Sequence, residues 1–166
     1  MIGALALGMA LAWGQTSALA ADARSSPEDR ARFVSITGKM EAAPLDAGLR
    51  EDRNWALSWL VDAPDVSVMA CLGTLGVEQS YRYSAEVTFQ YMFAMAALVI
   101  EDPQAASTED AKQLAGAQGA LKAYRAILVN DPKATSSALE RLQAAEAKGE
   151  LPALVRKGFA TCKAAG

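Results

Sequence analysis

The stretch SAEVTFQYMFAMAALVIE, residues 84–101, decides the fold. Between positions 91 and 100 nothing polar interrupts it except the Tyr91 hydroxyl, and its length and composition suit a helix. A helix that is apolar on every side must be covered on every side. The expectation is therefore a helix from Ala85 to about Glu101, N-capped by Ser84, at the centre of a bundle.

On the N-terminal side, Ser26-Pro27-Glu28-Asp29 reads as a helix start, with a serine cap, proline in the first turn and early acids. Phe33, Ile36 and Met40 then recur at three- and four-residue spacing, so a first helix runs to about Glu41. Pro44 interrupts. A second helix buries Leu49, Ala56, Leu57 and Leu60 and stops before Pro64. Trp55 and Trp59 stand one turn apart on it as candidate surface contacts. Asp65 is expected to cap a third, short helix through Val68, Cys71, Leu72 and Leu75. The polar residues Glu78, Gln79 and Ser80 connect it to the central helix.

On the C-terminal side, Thr108 opens a fifth helix whose Leu114, Ala117, Leu121, Tyr124 and Leu128 form a packing stripe. Asn130-Asp131-Pro132 ends it. A sixth helix spans about Ser136 to Lys148 with Gly149 as its C′ residue. A seventh carries Leu151, Val155, Phe159 and Cys162 on one face. Glycines 38, 116, 119 and 158 fall inside helical segments and weaken the pattern there. No segment alternates with period two over a useful length. The fold class is all-α, a single-domain helical bundle of six to seven helices.

The N-terminus reads differently. Residues 2–13 are apolar and uncharged, and Ala18-Leu19-Ala20 has the small-x-small pattern of a signal-peptidase site. The run is well short of the roughly 20 residues that span a bilayer. Residues 1–20 are therefore expected to be a cleaved signal peptide and residues 21–166 a single helical domain. The first segment lacks the usual Lys or Arg ahead of the apolar run. All the charged residues lie beyond Ala20, with a net charge of −3, which supplies no basic footprint for nucleic acid. No stable membrane span is expected after cleavage. The two cysteines, Cys71 and Cys162, suit an oxidising compartment and are expected to form a disulfide. Closing a loop of about 90 residues would contribute roughly 4 kcal/mol in the chain-entropy model.

The chain has no histidine, which removes Ser-His-Asp and Cys-His catalysis, zincin-type metal sites and any imidazole base. There is no Gly-rich phosphate loop and no CxxC. The acids come mostly as adjacent doublets, such as Glu51-Asp52 and Glu109-Asp110, which diverge on a helix and serve caps and solvation. No catalytic residue, metal ligand or cofactor is expected. One polar and aromatic constellation remains: Tyr81, Arg82, Tyr83, Glu86, Gln90 and Tyr91. A carboxylate on so apolar a helix must pair or shift its pKa. Glu86 is therefore expected to meet Arg82 or Arg53. The group is either a polar anchor fixing helix register or the lining of a binding pocket.

Two resemblances accompany this reading. Ala120, Tyr124, Ile127 and Pro132 stand at the spacing of the second helix of a tetratricopeptide repeat, and Gly149 falls at the following turn. Upstream, Gln104, Ser107 and Thr108 replace the bulky residues of that repeat's first helix. Separately, Cys71-Leu72-Gly73-Thr74-Leu75-Gly76-Val77, a helix ending at Asp102-Pro103 and another ending near Tyr124 are similar to helical periplasmic immunity proteins of type VI secretion. That family's other cysteines have no counterpart here. The second resemblance implies a periplasmic inhibitor of a toxin.

The sequence thus leads to an exported, non-catalytic protein of the cell envelope, periplasmic or secreted, whose partner is another envelope protein. The competing readings are a small-molecule carrier with a pocket near residues 81–91 and the immunity-type inhibitor. The first expectation to test is export. Mass spectrometry of protein recovered from the cell envelope should find an N-terminus at or close to Ala21; an intact Met1 in a cytosolic fraction would overturn it.

Overall fold

The computed structural model describes residues 25–165; the expected signal segment lies outside them. Among the described residues there are seven α-helices and no strand. They are α1 (Pro27–Ala42), α2 (Arg50–Asp62), α3 (Leu72–Leu75), α4 (Ser84–Glu101), α5 (Glu109–Asn130), α6 (Ser137–Ala147) and α7 (Leu151–Ala165). Short 3-10 turns precede α2 and α5.

The all-α expectation holds, and α4 is the central element. One of its sides, with Val87, Tyr91 and Met95, packs into a cluster with Leu121, Tyr124, Leu139, Leu151 and Val155 from α5, α6 and α7. The opposite side, with Phe93 and Ala96, joins Phe33, Ile36, Met40 and Ala56 from α1 and α2. A helix apolar all round has been covered from two directions, as burial of its surface requires.

Helix ends follow local chemistry in most places. Ser26 accepts from the Asp29 amide at the start of α1, Thr108 from Ala111 at α5, and Ser136 from Leu139 at α6. Gly149 takes a left-handed φ of 74°. The Gly149 amide donates to Glu146 and the Glu150 amide to Ala145, the paired bonds of a Schellman stop.

Two expectations need correction. Ser84 is the first residue of α4 and makes no side-chain cap; Tyr83 occupies the N-cap position. The third helix is also much shorter than expected, because residues 66–71 form neither helix nor turn. The Asp65 carboxylate caps nothing there. It accepts from the Ser25 amide at 3.0 Å and pairs with Arg30, fastening the start of α1. Desolvation pushes its pKa upward, but the Ser25 and Arg30 contacts outweigh that and hold it below the ordinary value.

The expected disulfide is present, with the Cys71 and Cys162 Cα atoms 6.1 Å apart, inside the usual range. It ties the segment before α3 to α7. The interior glycines mark close approaches. A Cβ on Gly116 would lie 2.6 Å from the Tyr91 ring and 2.9 Å from Met95. One on Gly119 would collide with the Ala94 side chain and stand 3.2 Å from the Gln90 carbonyl oxygen. Two glycines one turn apart on α5 thus let α4 approach closely. Gly38, by contrast, has nothing within 4 Å of its would-be Cβ.

This contrast predicts opposite signs for the same chemical change. Gly119→Ala should lower stability by about 1–3 kcal/mol through overpacking. Gly38→Ala should raise it by about 0.5–1 kcal/mol by reducing unfolded-state entropy and improving helix propensity. Urea denaturation of the disulfide-intact protein measures both.

Candidate functional site

The constellation expected from sequence is split among several separate environments. Tyr81, Arg82 and Tyr83 lie together. The Tyr81 hydroxyl donates to the Ala134 carbonyl at 3.0 Å, and the Tyr83 hydroxyl to Asp131 at 3.0 Å. Arg82 pairs with the same Asp131 oxygen at 3.1 Å, its guanidinium 5.1 Å from the Tyr83 ring centroid. These contacts hold the loop after α5 against the residues before α4. Tyr124 reinforces the corner by accepting from the Ser136 amide at 3.0 Å.

Gln90 and Tyr91 face elsewhere, and both are fully buried. Gln90 points to α1, where its amide donates to the Thr37 carbonyl at 3.3 Å while its Oε1 finds no partner. Tyr91 points to α5, where its hydroxyl meets Gln113 and lies 3.3 Å from the Cys71 carbonyl oxygen. Gln113 in turn donates to the Met69 carbonyl at 2.7 Å. Arg53 lies in a third place, donating to the Pro44 carbonyl at 2.8 Å with its Nε buried and unpaired.

Glu86 is half-buried and forms no ion pair among the described residues. The expected partnership with Arg82 or Arg53 is therefore corrected. Arg82 precedes α4 and turns to Asp131, and Arg53 is held at Pro44. Glu86 can remain unpaired because the first turn of α4 is incompletely covered and offers the favourable end of the helix dipole.

Beside Tyr81 is an open cleft of about 590 Å³ between residues 78–82 and 131–137, with Arg82, Asp131, Lys133 and several hydroxyls on its walls. Glu86, Gln90 and Tyr91 do not line it. It differs from the enclosed, mainly apolar cavity typical of a small-molecule site. Burial, with smaller contributions from Tyr124, Tyr83, Asp131 and Glu86, pushes the Tyr81 pKa up to about 12. Desolvation and the Asp131 hydrogen bond also raise that of Tyr83, and burial raises that of Tyr91. These tyrosines are protonated at neutral pH and act there as donors. No cluster of three or more His, Cys, Asp or Glu side chains suited to a metal occurs among the described residues.

The tryptophans are only half-buried but are engaged. Trp59 packs 4.8 Å from Phe33, and Trp55 lies beneath the Arg32 guanidinium at 3.9 Å. The more exposed apolar groups were not anticipated: Val61, Met69 and Leu72, at 85%, 51% and 52% exposure. Val61 lines one apolar groove against α4 and Leu72 lines another, while Met69 lines neither. One, about 420 Å³, lies among Leu57, Leu60, Val61, Val66, Val68 and Met92. The other, about 210 Å³, lies among Leu72, Leu75, Val77, Ala85 and Phe89. Val129 is exposed as well but joins neither groove. A faint signal was available in sequence: Val61 to Leu72 is rich in apolar residues but contains no Lys or Arg. Gln113 gave no local sign, since a glutamine within a helix ordinarily reads as solvated.

No family model, curated protein or solved structure matches the chain.

The Tyr81 environment predicts a pH effect. With its folded pKa raised above the unfolded value near 10, its contribution to stability is complete below pH 10. It is lost as pH rises toward 12, because the unfolded chain releases its proton first. Tyr81→Phe should cost about 1 kcal/mol at neutral pH and flatten the decline above pH 10, as measured by denaturant unfolding across that range.

Proposed function

We propose that this chain is an exported, non-catalytic helical protein of the cell envelope that acts by binding another protein. The observation that carries the reading is a pair of apolar grooves, one walled by the exposed Val61 and the other by the exposed Leu72, with the exposed Met69 between those two residues in the chain. Exposed apolar grooves on a small domain are costly to leave in water and commonly mark an interaction site. The Cys71–Cys162 bond supports an oxidising compartment. None of the described helices is long and apolar enough to cross a membrane.

The polar corner at Tyr81–Asp131 has a structural explanation of its own, since its donors and acceptors fasten one loop. That favours surface recognition over a carrier pocket near residues 81–91. Neither catalytic chemistry nor a bound cofactor enters the proposed action.

Site-specific photo-cross-linking in intact cells tests the proposal. A photoreactive residue at Val61 or Met69 should trap a discrete envelope protein, whereas one at the exposed Glu140 of α6 should not. Equal labelling from both faces, or no adduct from Val61 or Met69, would overturn the reading.

A further inference from the structure

The segment that borders the first groove has an unusual backbone. From Val66 to Cys71 the chain forms neither helix nor turn. No backbone N–H in this stretch finds a hydrogen-bond acceptor among the described residues. Two of its carbonyls are used: Met69 accepts from Gln113, and Cys71 accepts from the Thr74 amide at 2.9 Å and lies 3.3 Å from the Tyr91 hydroxyl. In an extended chain the N–H and C=O groups of one residue point to the same edge, and successive residues alternate edges. The amides and carbonyls of Val68 and Ala70 make no hydrogen bond among the described residues. Burial alternates too over the first residues: Val66 is buried, Ser67 exposed, Val68 half-buried and Met69 exposed.

An unpaired backbone edge beside an apolar groove is the geometry of strand addition, in which main-chain bonds supply affinity and alternate side chains enter pockets. Charge narrows the occupant. From Asn54 to Tyr81 the chain has no Lys or Arg, yet it contains Asp62, Asp65 and Glu78. α4 adds Glu86 and Glu101 and no base. Asp65 is neutralised by Arg30, while Asp62 and Glu78 are exposed and form no ion pair among the described residues.

We propose that the outer edge of residues 66–70 takes up an extended segment of the partner protein, apolar at alternate positions and flanked by Lys or Arg. This rests on the protein-binding reading above and adds the chemistry of the partner. The added strand would pair with the main chain of Val68 and Ala70, place apolar side chains among Leu57, Leu60, Val61 and Met92, and bring a cation to Asp62 beside Val61.

Selection of random peptides displayed on phage against the exported, disulfide-intact protein tests this. Enriched peptides should alternate apolar residues and carry a flanking Lys or Arg. Their affinity should fall at least tenfold with Val68→Pro or Ala70→Pro, each of which removes an edge donor that serves no internal bond. N-methylation of alternate peptide amides should have the same effect, and it remains informative should a proline variant fold poorly. Selection of acidic peptides, failure to enrich any peptide, or indifference to both the proline variants and N-methylation would overturn the proposal. So would sedimentation showing a second copy of this chain on the edge. If cross-linking from Val61 persists undiminished in Ala70→Pro, strand addition fails while protein binding stands; if wild type gives no adduct, the broader reading fails.

Discussion

The rest of the structure depends on one constraint: from Tyr91 to Ile100 α4 is apolar around its whole circumference and must be covered from more than one side. α1 and α2 cover one side and α5, α6 and α7 the other, so each half of the bundle is incomplete without the other. Covering such a helix closely calls for small residues somewhere on the opposing surface. Gly116 and Gly119 meet that need on α5. A side chain at either position would displace Tyr91, Met95 or Ala94 from the interface.

The same close approach sets the buried polar arrangement. With the Tyr91 ring lying over Gly116, its hydroxyl reaches Gln113 one turn earlier on α5. Gln113 then holds the Met69 carbonyl. A fully buried glutamine is costly unless its amide is bonded on both ends, and here Tyr91 and Met69 supply those partners. The outcome for residues 66–71 is decisive. A helix through this segment would need its carbonyls for bonds along its own axis, but Met69 has its carbonyl turned to Gln113 of α5, and the Cys71 carbonyl faces Tyr91 of α4 while accepting from the Thr74 amide where α3 begins. The disulfide at Cys71 secures the segment from its other end. The interior that organises the core thus also leaves an open backbone edge at the surface.

The Tyr81–Tyr83 corner, attractive as a site when read along the chain, uses its hydroxyls and its arginine to hold the loop after α5. The apolar grooves on the outer side use no such polar clasp. Their exposed valine, methionine and leucine have no evident role in packing the bundle, which is why they support a protein-binding reading.

What the amino-acid sequence determined by itself was what local chemistry controls. The all-α class, the central position of residues 84–101, the caps at Ser26, Thr108 and Ser136, and the stop at Gly149 all depend on spacing and on bonds made within a few residues. The Cys71–Cys162 pairing was legible because only two cysteines exist. Tertiary structure alone decided the rest. The 3-4 spacing of Val68, Cys71, Leu72 and Leu75 suggested a longer helix, but side chains far along the chain captured the backbone. Arg82 stood one turn from Glu86 in sequence, yet it met Asp131 from a distant loop. Gly116, Gly119 and Gln113 looked like weaknesses or solvated positions until a second helix lay against them. Local signals specify which bonds a segment can make with itself; which buried groups meet across the core depends on how closely two helices can approach, and that is a property of both surfaces together.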